Sequence, residues 1–86
     1  MYPNQDAPKE TQELTYGQKM VGLSFNPSGL DVVGQTKQYF ADLIDKAHEI
    51  RMKPPVSQAT FDLCATVISQ LLIAQMAAVK LLTWKD

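Results

Sequence analysis

Residues Phe61–Trp84 read FDLCATVISQLLIAQMAAVKLLTW. On a helical wheel, Asp62, Thr66 and Ser69 form a polar stripe, but one turn later Ile73, Met76 and Ala77 occupy it, and polarity returns only at Lys80. A helix that is apolar all round must be buried all round, and a chain of 86 residues has little other material to cover it. The pattern therefore predicts that copies of the chain cover one another. Self-association is also a usual support for a domain this small.

Moving outward from this stretch, Ser57 is the expected cap of the helix, and Pro54-Pro55 ends the preceding one because neither proline can donate a backbone hydrogen bond. That earlier helix starts near Leu30 or Asp31 and runs to about Met52, with Ser28 as its expected N-cap and Asp31 suited to the positive end of the dipole. Val33, Thr36, Phe40, Leu43, Ala47 and Ile50 follow 3-4 spacing and predict the packing seam. Asp42, Asp45, Lys46, Glu49 and Lys53 on the other side read as a solvated face, with Asp42–Lys46 and Glu49–Lys53 at i,i+4 spacing. The short connection makes the two helices antiparallel.

Before them, Tyr16–Phe25 alternates in polarity, and Gly17 and Gly22 disfavour a helix, so this arm is expected to be an extended strip. Asn26-Pro27-Ser28-Gly29 is a turn. Residues 1–15 read as a flexible polar tail and 16–86 as an arm plus helical domain. The expected fold is all-α: an antiparallel two-helix hairpin with an N-terminal arm, assembled as a homo-oligomeric helical bundle.

Chemistry is sparse. Cys64 is the lone cysteine, within an apolar run, and reads as a small buried hydrophobe rather than a reactive thiol. His48 is the lone histidine, so no metal or cofactor site is expected. No nucleophile elbow, phosphate loop or paired acid and base is present, which argues against an enzyme. A formal charge of −1 argues against a DNA or RNA polymer as partner. The polar, proline-containing start predicts no signal peptide. The 17 uncharged residues between Asp62 and Lys80 reach the lower edge of a membrane span, but Ser69, Gln70 and Gln75 interrupt them, so no membrane insertion is expected. Gln75 reads either as a register-fixing amide paired across an interface or as a ligand contact.

The most suggestive segment is Phe25-Asn26-Pro27-Ser28-Gly29. It brings an aromatic ring to a helix start able to receive an anion, with Lys37 two turns on as a cation flanking the entrance. Phe25 reads either as a hydrophobic staple or as a stacking platform for a base, and Lys37 either as a solvated lysine or as a phosphate contact.

Together YGQKMVGLSFNPSG (16–29), VVGQTKQYFADLID (32–45) and AQMAAVKLLTW (74–84) resemble a family of small bacteriophage proteins that share a helical hairpin, the anti-CBASS and anti-Thoeris cyclic-nucleotide sponges. The resemblance spans residues 16–86. It implies a non-enzymatic viral protein of immune evasion acting in the host bacterial cytosol. It also implies a dimer-based oligomer, commonly a hexamer, that sequesters cyclic dinucleotides or cyclic ADP-ribose isomers before they reach an effector. Carried onto this chain, it implies Phe25 as the base-stacking aromatic and Lys37 as the phosphate contact, with Asn26, Pro27, Ser28 and Gly29 forming the turn between them. Phe25 and Lys37 from neighbouring chains would then clamp the ligand about a two-fold axis.

Overall fold

The computed structural model describes residues 13–86, and these are all-helical, without a strand. The polar tail expected over 1–15 thus lies outside the described residues except for 13–15, which precede the first helix of the described residues. The described residues form three helices, α1 (Tyr16–Met20), α2 (Asp31–Arg51) and α3 (Gln58–Thr83), and the two long ones pack on each other.

Ser57 caps α3 as its position predicts, its hydroxyl accepting the Thr60 N–H at 3.1 Å. The cap of α2 differs from expectation. Leu30, not Ser28, is the N-cap residue, and it offers no side-chain acceptor. The Ser28 hydroxyl instead accepts the Leu30 N–H at 3.2 Å and donates to Asn26 Oδ1 at 2.6 Å, so it stabilises the turn before the helix. That turn closes as expected: Gly29 N–H donates to the Asn26 carbonyl at 3.1 Å, and Gly29 takes φ 69°, a region costly for residues with a Cβ.

The arm is not an extended strip. Its first part is the short helix α1, nucleated by a capping box in which Thr15 accepts the Gln18 N–H while the Gln18 side chain accepts the Thr15 N–H. Gly17, expected to oppose a helix, is what lets this one dock. A Cβ at Gly17 would lie 2.1 Å from the Ala41 carbonyl oxygen, so α1 rests backbone against backbone on α2. The Gly17 N–H also donates to Asp45 Oδ1 at 2.6 Å. Asp45 therefore leaves the expected solvated face and holds the arm.

This docking also explains why the packing seam of α2 differs from the predicted one. Val33 and Ala47 are buried as expected, but Leu43 and Ile50 are exposed, while Lys37, Ala41 and Ile44 are buried. The 3-4 reading assumed one partner for α2, whereas α1 and α3 cover it from two sides. Val21, Ala41, Ile44, Ala47 and Ile68 form the core, with Tyr16, Leu23, Phe40, Leu71 and Leu72 packed around it.

At the loop end, Tyr16 stacks on His48 with ring centroids 4.0 Å apart. Arg51 donates to His48 Nδ1 and to the Tyr16 hydroxyl, both at 3.1 Å, and lies over the Phe61 ring. This cluster ties the arm to both long helices.

The buried residues of α3 are Cys64, Ile68 and Gln75. Ile73 and Met76 are 58% and 61% exposed, so the apolar rear half of α3 is open on the single chain. By length and composition α3 could cross a membrane. Gln75 is 5% exposed, its amide removed from water by the chain itself rather than by a second copy.

Candidate functional site

Phe25, Asn26, Pro27, Ser28 and Lys37 line one recess of about 260 Å³, together with Val33 of α2 and Val79 and Thr83 of α3. Five of the six residues singled out from sequence thus meet at one corner, where the start of α2 faces the end of α3. Gly29 does not line the recess; it closes the turn beside it.

Each wall has a local cause. Gly22 at φ 64° reverses the chain after α1, and the Phe25 N–H donates back to the Gly22 carbonyl at 2.9 Å. The Asn26 side chain donates to the Leu30 carbonyl at 3.0 Å, binding the turn to the start of α2. Phe25 emerges between these two turns and is 69% exposed, too open for a staple packed against the helix entrance.

Lys37 departs from the expected flanking cation. It is 6% exposed and turns inward, donating to the Gly22 carbonyl at 3.1 Å and to the Phe25 carbonyl, with its Nζ 5.7 Å from the Phe25 ring centroid. The physical reason is that the turns leave loop carbonyls facing α2, and a buried carbonyl needs a donor. An ammonium has three donors, and two are engaged here by loop carbonyls.

The recess pairs an exposed aromatic and a cation with apolar walls from Val33 and Val79, while Ser28 and Thr83 also line it, their hydroxyls donating to Asn26 Oδ1 and the Val79 carbonyl. Such a site suits a flat ring carrying an anionic group. At about 260 Å³ it falls just below the roughly 300–1,000 Å³ usual for drug-sized ligands, so one recess accommodates a base rather than a whole dinucleotide.

A separate groove between the long helices is almost wholly apolar, about 410 Å³, and is lined by Leu43, Ile50, Leu63, Cys64 and Val67 among others. Among the described residues no three His, Cys, Asp or Glu side chains are grouped to hold a metal ion.

A scan against protein-family models and searches of curated proteins and of solved structures return no match to this chain.

Two features escaped the sequence reading. The T-x-x-Q box at Thr15–Gln18 was a visible signal for α1. The inward course of Lys37 had no comparable signal, because it answers carbonyls that only the folded loop presents.

Proposed function

We propose that this chain is a non-enzymatic phage sponge that binds cyclic dinucleotides, or related cyclic nucleotides such as cyclic ADP-ribose isomers, and so withholds an immune second messenger from its effector in the host cytosol. The observation that carries the proposal is the convergence of an exposed Phe25 and the Lys37 ammonium on one recess at the Asn26–Gly29 turn. The base stacks on Phe25, its phosphate meets the remaining Lys37 donor, and the Ser28 hydroxyl lies at the rim. Sequestration by mass action needs no turnover, only a dissociation constant below the concentration of the messenger.

In the same proposal the two long helices form an antiparallel hairpin, and copies of it associate through the open rear half of α3 into a homo-oligomer, of which a hexamer is the form the resemblance implies. Ile73, Met76 and their neighbours supply the apolar area for that contact. Ser69, Gln70 and Gln75 within α3, and the charges along α2, favour this over insertion into lipid.

Titration calorimetry with cyclic dinucleotides, cyclic trinucleotides and cyclic ADP-ribose isomers tests the binding claim. Phe25→Ala should weaken the tightest ligand at least tenfold, about 1.4 kcal/mol, with little change in melting temperature because the ring is exposed. Unchanged affinity would remove Phe25 from the site. The assembly claim is tested by light scattering on protein purified without detergent. Ile73→Glu/Met76→Glu should raise the dissociation constant of the oligomer at least tenfold, and a monomeric wild-type chain at micromolar concentration would overturn it.

A second reading has one specific observation behind it. Because Lys37 already serves the Gly22 and Phe25 carbonyls, the corner is also what a helical assembly module without a nucleotide would need to hold its arm. Silence across the whole ligand panel, with the oligomer intact, would favour that reading.

A further inference from the structure

The first recess has a neighbour. Ser28 and Thr83 line both it and a second recess of about 350 Å³, whose other walls are Leu30, Leu82, Trp84 and Lys85. The two recesses thus share a wall, and each has an aromatic of its own: Phe25 in the first, Trp84 in the second. Trp84 is 60% exposed, an unusual position for the largest apolar side chain in a chain short of core. Its indole is nonetheless held. The Nε1–H donates to Asp86 Oδ1 at 3.1 Å, and the Lys80 ammonium lies 5.5 Å from the ring centroid.

We propose that Trp84 is a second stacking platform of the same site, so that one chain grips both ends of a ligand carrying two bases. This rests on the nucleotide-binding reading above. The argument is chemical. The first recess accommodates one base. A cyclic dinucleotide carries a second base and a second phosphate, and both must leave that recess. The Ser28 and Thr83 hydroxyls already donate to Asn26 Oδ1 and the Val79 carbonyl, so between the recesses they present oxygen acceptors to the sugar hydroxyls of a ring crossing there, and beyond them stand an exposed indole and the cations Lys80 and Lys85, with Asp86 as the one carboxylate among the groups named. The second aromatic that a two-base ligand requires then comes from the same chain rather than from a neighbouring copy.

Trp84 is the only tryptophan in the sequence, so intrinsic emission reports on this ring alone. Cyclic di-AMP, cyclic di-GMP and 3′,3′-cyclic GMP-AMP are titrated into the full-length protein, followed in parallel by calorimetry and by tryptophan emission. The expected result is quenching that tracks the calorimetric isotherm. Trp84→Leu should lose at least tenfold in affinity, while Trp84→Phe, which keeps a stacking face, stays within about threefold of wild type. Melting temperature and oligomeric mass should be unchanged in both variants. Binding heat with unmoved emission, and a Trp84→Leu affinity within twofold of wild type, would overturn the role of Trp84 and leave the Phe25 site standing. Absence of heat with every ligand of the wider panel would overturn both.

Discussion

Gly17→Ala should detach α1 from α2. The added methyl would lie 2.1 Å from the Ala41 carbonyl oxygen, and the atom it meets is backbone in the most buried part of α2, so no side chain can swing aside. Relief requires α1 to lift, which also parts the Gly17 N–H from Asp45. Overpacking of this kind costs up to about 3 kcal/mol, and losing a hydrogen bond to a charged acceptor adds about 1.5–3 kcal/mol. A total near 3 kcal/mol or above lowers the melting temperature of a domain this size by roughly 12–24 °C. Thermal denaturation followed by circular dichroism measures this, and hydrogen exchange at the Val21 and Leu23 amides localises it. Asp45→Asn keeps an acceptor for the Gly17 N–H and should cost no more than about 1 kcal/mol. A Gly17→Ala protein that melts with the wild type would show that the arm does not lie on α2.

The second large effect is expected at Lys37. Lys37→Met preserves much of the buried stem but removes the ammonium, leaving the Gly22 and Phe25 carbonyls without their donor. Bonds to a charged donor contribute about 1.5–3 kcal/mol each, and a buried acceptor left unpaired loses a similar amount. The expected loss is about 3 kcal/mol or more, which at 3 kcal/mol is roughly 12–24 °C in melting temperature. Exchange at the Phe25 amide, which bonds to the Gly22 carbonyl, should accelerate at the same time. This prediction separates Lys37 from Phe25. Phe25→Ala should weaken ligand binding at nearly constant stability, while Lys37→Met should lower both. An unchanged melting temperature in Lys37→Met would make Lys37 a surface cation after all.

These two residues also show where sequence reasoning reached and where it stopped. The course of α3 was legible because its start carries an explicit cap in Ser57 and its apolar run is long. The end of α2 was legible because Pro54-Pro55 cannot continue a helix. The turn at Asn26–Gly29 followed from short-range chemistry. Gly17 was misread for a physical reason: glycine weakens an isolated helix, but close approach to another backbone requires it, and only the tertiary contact decides between the two. The seam of α2 was misplaced at Leu43 and Ile50 because a single periodicity cannot describe a helix covered from two sides. Lys37 was placed outside because lysine is almost never fully buried unless paired, and its partners here are main-chain oxygens that no residue type announces.

The inward ammonium has one more consequence. Lys37 reaches across from α2 to carbonyls on both limbs of the bend that begins at Gly22, and Asn26 fastens the following turn to Leu30. The ring of Phe25 is thereby presented by a segment that is already clamped on each flank. A molecule settling on that ring has little wandering chain to freeze, so the entropic penalty of docking stays small and more of each contact survives as net affinity.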